Sequence, residues 1–204
     1  MASNLAAKEL TSTGLHARFQ RAPAFATPEE PDGTYLRAAV EWWQQGALNG
    51  EDWARLDASL FQHGSFDWRD GWAIALRGAT TGGERPIQAM PSLGGQAGLR
   101  GYRPWSLVGN ALVYGRAQYE FSSRRLKRTC VPLVSRMGLK LVPYAEWGLV
   151  QGADRGRADV GFGLRHSLVE TGQATHAQVD FAWPVGRESA PVRITFSLSN
   201  DGLD

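Results

Sequence analysis

Cysteine, long apolar runs and an excess of one charge are what this chain lacks. A single cysteine, Cys130, excludes an intrachain disulfide and any cysteine-cluster metal site. No apolar stretch approaches the ~18 residues that a spanning helix requires, so a helical membrane protein is excluded. The 22 basic and 20 acidic residues nearly cancel, and apart from a local run at Arg124–Arg128 the basic ones are scattered. That balance provides no broad cationic face, and no nucleic-acid partner is expected. Catalytic parts are equally scarce. His16, His63, His166 and His176 lack metal-ligand spacing, no Gly-x-Ser-x-Gly elbow occurs, and Asp180 beside His176 would be an acid–base pair with no nucleophile to serve. The expectation is a protein that is not an enzyme and uses no cofactor or metal.

Glycine and aromatics are plentiful, with 24 Gly, 8 Trp and 5 Tyr, a composition that favours strands over helices. Apolar and polar residues alternate along most of the chain, the two-residue period of a strand with unlike faces. Leu36, Ala38, Val40 and Trp42 oppose Arg37, Ala39 and Glu41; Leu56, Ala58 and Leu60 oppose Arg55, Asp57 and Ser59. Trp72, Ile74 and Leu76 oppose Ala73, Ala75 and Arg77, and Val113, Ala117, Tyr119 and Phe121 oppose Tyr114, Arg116, Gln118 and Glu120. The same split recurs at 159–165, 176–183 and 192–198, and stretches near 14–21 and 138–147 complete the set. The pattern predicts an all-β antiparallel meander of about nine strands in one domain over 1–204, with 1–12 irregular. Residues 33–48 also contain helix-compatible side chains, so a helix there is the minor alternative.

Such a meander can turn its apolar face inward, as a soluble β-barrel or sandwich, or outward to lipid with charge inside. Two features favour the second. Opposite charges recur on the polar faces, as with Arg37 and Glu41, Arg55 and Asp57, or Arg116 and Glu120, and could satisfy one another in an enclosed, hydrated interior. Trp42, Trp43, Trp72, Phe121, Trp147 and Trp183 sit toward strand ends, where an interfacial aromatic girdle would lie. The alternative is a soluble all-β binding module whose tryptophans plug the ends of its core.

One loop breaks the alternation: "PSLGGQAGLRGYRPW", residues 91–105, with four glycines around an arginine. Gly94 and Gly95 precede Leu99, Arg100, Gly101 and Tyr102, and a strand ending in Tyr119 and Glu120 follows. Further on come "LVPYAEWGLV", with Glu146 two positions before Gly148, then "VGFGLR" and "VDFAWPV". This succession, from about residue 34 onward, resembles the bacterial surface-antigen barrel family, which includes the BamA-like outer-membrane insertases and the two-partner secretion transporters. The family more often has Asp where Glu146 stands, and its chains usually end on an aromatic, whereas "SLSNDGLD" follows Phe196 here.

The resemblance implies a transmembrane β-barrel in the bacterial outer membrane that inserts or translocates polypeptide clients, with Gly94, Gly95, Leu99, Arg100, Gly101 and Tyr102 on a lid loop inside it. Glycine permits the sharp, close passage such a loop needs. Arg100 can present a planar fork of donors to a carboxylate, and Glu146, on the polar face with Lys140, Val142 and Tyr144, is the expected lumenal partner. About nine strands correspond to the C-terminal half of the family's barrel. The expected partners are therefore outer-membrane lipid, polypeptide clients, and the missing barrel half or accessory assembly proteins. The opening "MASNLAAKELTSTG" lacks the charged and apolar regions of a secretory signal, so a fragment of a longer protein is expected.

Overall fold

A computed structural model describes residues 12–21, 33–45, 52–66, 70–83, 87–95, 98–122, 138–170, 173–186 and 191–200. The expected irregular segment 1–12 lies outside these residues except for Ser12, which opens the first strand, and Cys130 and the basic run also lie outside them.

The alternating segments form β1 (Ser12–Arg21), β2 (Gly33–Gln45), β3 (Trp53–Phe66), β4 (Asp70–Gly83), β7 (Ala111–Glu120), β8 (Lys140–Val150), β9 (Arg157–Glu170), β10 (Gln173–Val185) and β11 (Arg193–Asn200). They make one nine-stranded sheet in the order β1-β2-β3-β4-β7-β8-β9-β10-β11, every neighbouring pair antiparallel. The segment with helix-compatible residues is thus strand β2. Its alternation allows one face to be apolar and the other polar, which a helical period would mix. A two-residue ladder, β5 (Ser92–Leu93) with β6 (Leu107–Val108), and a 3-10 turn at Ile87–Ala89 lie in the β4–β7 loop and were not expected. The sheet is not closed into a barrel; β1 and β11 are its edges.

Its two faces are unlike. Leu36, Leu56, Leu60, Ile74, Leu76, Val113, Trp147, Leu149, Val160, Trp183, Ile194 and Phe196 all lie exposed on one face. The opposite parity places Glu120, Glu146, Asp159, Gln178 and Asp180 among the buried residues. This reverses the usual arrangement, in which buried strand faces are apolar. On β8 burial alternates residue by residue: Val142, Tyr144, Glu146 and Val150 are buried, while Ala145, Trp147 and Leu149 are exposed.

The paired tryptophan at 42–43 needs one correction. Trp42 stands on the apolar face, but Trp43 pairs in register with Trp53 and stacks on it at 5.9 Å, on the same parity as Arg37 and Glu41. Successive residues of a strand point to opposite faces, so both cannot join one girdle.

A small apolar core lies between the β4–β7 loop and the polar face. Leu93, Leu99 and Tyr102 of the loop pack with Ala79, Leu112, Tyr114 and Val150 of β4, β7 and β8. Leu93 and Leu99 are 0% exposed, each such burial contributing roughly 1.5–3 kcal/mol. The loop is thereby fastened to the sheet.

Candidate functional site

Short main-chain bonds organise the loop first. Gly95 donates its N–H toward the carbonyls of Leu99, at 3.1 Å, and Tyr102, at 3.0 Å, while Tyr102 donates to Leu99 at 3.1 Å. The turn Leu99–Tyr102 places Arg100 and Gly101 at its apex. Gly94 has φ of 116°, a conformation that L side chains rarely adopt. Gly101 is needed for a different reason. A Cβ there would stand 2.9 Å from Cβ of Asp159 and 3.1 Å from the Pro184 nitrogen, so the backbone touches the sheet.

The apex inserts Arg100 among acceptors from several strands. Its main-chain N–H donates to Glu146 Oε2 at 2.9 Å, and its Nε lies 3.4 Å from Glu146 Oε1. Its Nη1 donates to Asp180 Oδ1 at 2.9 Å, and its guanidinium carbon lies 4.4 Å from the centre of the Tyr144 ring. Gly101 N–H donates to Asp159 Oδ2 at 2.6 Å, and the Tyr114 hydroxyl donates to Glu146 Oε1 at 3.0 Å. Burial opposes the charge of Arg100, yet Glu146 and Asp180 beside it hold its pKa above the ordinary arginine value. One turn is therefore tied to β8, β9 and β10, and its bonds from the Arg100 guanidinium to Glu146 and Asp180 are charge-assisted, among the strongest available in a protein.

These bonds continue into a wider polar network. Gln178 Nε2 donates to Asp180 Oδ1 at 2.6 Å, Arg165 Nε donates to Gln178 Oε1 at 2.9 Å, and Arg165 Nη1 donates to Glu120 Oε2 at 3.3 Å. Lys140 Nζ completes the set 3.2 Å from Glu120 Oε1. Arg116, expected opposite Glu120, is not its partner. Residues four apart along a strand are separated by about 13 Å, whereas adjacent strands lie about 4.8 Å apart. The same geometry separates Arg37 from Glu41. Arg55 and Asp57 do meet, at 3.0 Å, and Arg77 adds a two-point grip on Asp57 at 3.1 and 2.6 Å.

Of the residues singled out in the sequence, Arg100 and Glu146 touch directly; Leu99 and Tyr102 are buried in the core; Gly94, Gly95 and Gly101 shape the turn. Asp159 and Asp180 were not anticipated as partners of the loop. Both lie on the polar parity of their strands, but strand register sets Asp159 opposite Glu146 and leaves Asp180 on the next strand. Asp180 serves Arg100 and Gln178 in the structure, a role unrelated to the acid–base pairing with His176 considered from sequence.

Two carboxylates, Glu146 and Asp180, meet one guanidinium while a third, Asp159, accepts the Gly101 N–H, and among the described residues no His, Cys, Asp and Glu group is arranged to hold a metal ion. Compared with known proteins, the chain matches no family model and no curated sequence.

Proposed function

We propose that the chain is part of an outer-membrane β-barrel that inserts or translocates polypeptides, with the β4–β7 loop acting as a lid held on the lumenal wall. The observation that carries this reading is the reversed polarity of the sheet. Apolar side chains cover the face away from the loop, and carboxyl-bearing and other polar side chains are buried beneath it. In water an exposed apolar sheet of this extent invites association, whereas in hydrocarbon it is the required surface. The charged face would then look into a hydrated lumen. The resemblance to the bacterial surface-antigen barrels assigns Gly94, Gly95, Leu99, Arg100, Gly101 and Tyr102 to a lid loop and Glu146 to its anchor, and the contacts between Arg100 and Glu146 support that reading.

An open nine-stranded sheet leaves the edge strands β1 and β11 with unpaired backbone groups, which cannot remain unsatisfied in a bilayer. Further strands, from the missing barrel half or accessory assembly proteins, would complete the wall. The work done on clients is conformational, so no catalytic group or cofactor enters the proposal.

Bilayer insertion is the test. The purified chain is reconstituted into vesicles containing brominated acyl chains, and tryptophan quenching is measured. Trp147 and Trp183, both on the apolar face, should be quenched strongly. A chain that stays monomeric without detergent and shows no quenching would instead be a soluble all-β binding module.

A further inference from the structure

The lid covers only part of the polar face. Its turn is bonded to β8, β9 and β10, and its apolar side rests on β4, β7 and β8. The polar face of β1, β2 and β3 lies beyond these contacts. On it the register brings Arg18 opposite Ala39 and Arg37 opposite Ser59, with Arg55 opposite Glu41. Arg77 of β4 follows in the same row as Arg37 and Ser59.

The charges in this region are not balanced. Arg18, Arg37, Arg55 and Arg77 stand against Glu41 and Asp57, four positive against two negative. Asp57 is already taken by Arg55 and Arg77. Arg18 and Arg37 are exposed, and neither pairs with a carboxylate among the described residues. Elsewhere on the same face Arg100 is held by Glu146 and Asp180, and Lys140 and Arg165 by Glu120, while Arg116, Arg157 and Arg193 are half-buried. The arginines of this face that are both exposed and without an ion pair, Arg18 and Arg37, therefore lie where the lid does not reach.

We propose that the uncovered polar face of β1–β3 is a docking track for an extended, acidic polypeptide segment, held by Arg18 and Arg37. The spacing fits that occupant. Arg18 and Arg37 are diagonal neighbours on adjacent strands, about 7–8 Å apart. An extended chain repeats same-side side chains every 6.6–7 Å or so. Carboxylates at alternate positions could thus meet both guanidinium forks. A nucleic acid is the poorer match, because a regular phosphate backbone calls for a longer cationic stripe than two free arginines.

This inference rests on the polypeptide-handling function proposed above and narrows its clients to segments rich in Asp and Glu. The test uses the full chain in detergent micelles and two short fluorescein-labelled peptides that alternate Glu with Ser or Lys with Ser, read by anisotropy at low salt. The Glu peptide should bind at least about tenfold more tightly than the Lys peptide, and Arg18→Glu with Arg37→Glu should remove that preference. Arg18→Lys with Arg37→Lys should keep the preference to within about threefold, and Arg155→Glu, an exposed change in the β8–β9 turn, should alter it by less than about twofold.

Equal binding of the two peptides, or an equal loss with Arg155→Glu, would overturn the proposal. So would a single-stranded oligonucleotide of matched charge binding as tightly as the Glu peptide. Quenching by brominated lipid, measured on the same protein, separates the two claims. Quenching without peptide preference removes the track and leaves the barrel; preference without quenching removes the barrel and leaves an acidic-peptide site.

Discussion

Arg100 and Glu146 meet twice: the main-chain N–H of Arg100 donates to one carboxylate oxygen at 2.9 Å, and its Nε lies 3.4 Å from the other. Glu146 therefore holds both the path of the loop and the orientation of its guanidinium. Asp180 touches only the guanidinium. The two acids are consequently not equivalent anchors, although both are buried.

Arg100→Ala should free the loop. It strands Glu146 and Asp180 without their cation, and breaking a buried pair in this way costs roughly 3–5 kcal/mol. The loop should then be cleaved faster by protease in limited digestion of the reconstituted chain. In a cycle with Glu146→Gln, the coupling should be about 1–3 kcal/mol, measured by denaturant unfolding in detergent. Additive effects would mean that the two residues are neighbours without being partners.

Gly101→Ala should have a similar direction through shape alone. The new methyl group would enter the space of the Asp159 side chain and Pro184, forcing the turn away and lengthening the Gly101–Asp159 bond. Overpacking of this kind costs about 1–3 kcal/mol. Gly78→Ala is the control. Nothing lies within 4 Å of a Cβ there, so its effect should stay within about 0.5 kcal/mol.

Leu99→Ala tests the apolar half of the attachment. Leu99 is fully buried among Leu93, Tyr102, Leu112 and Tyr114, and its truncation should cost about 2–5 kcal/mol. The ion pairs would remain, so accelerated cleavage of the loop in this variant would show that they do not hold it unaided. An unchanged cleavage rate would assign the anchoring to Arg100.

Leu76→Arg distinguishes lipid from water on the apolar face. Leu76 is 43% exposed near the middle of β4 and pairs in register with Leu60. At the midplane of a bilayer the arginine should cost about 2–4 kcal/mol. In water it should cost less than about 0.5 kcal/mol. Folding stability compared in vesicles and in buffer gives the answer.

What the sequence determined by itself was the strands and their two faces, because a period of two is written locally in each segment. Ala177, Val179 and Phe181 against Gln178 and Asp180 need no neighbour to define a half-apolar strand, and glycines around Arg100 mark a tight loop wherever it packs. Only the tertiary structure decided which partners those faces bring together. Registers between strands set Glu146 opposite Asp159 and hand Glu120 to Lys140 and Arg165, since ion pairs form over a few ångströms between strands and not over four residues along one. It also decided which face lies beneath the loop, because alternation has no sign until Leu93 and Leu99 find Leu112 and Val150 and cover the charged side.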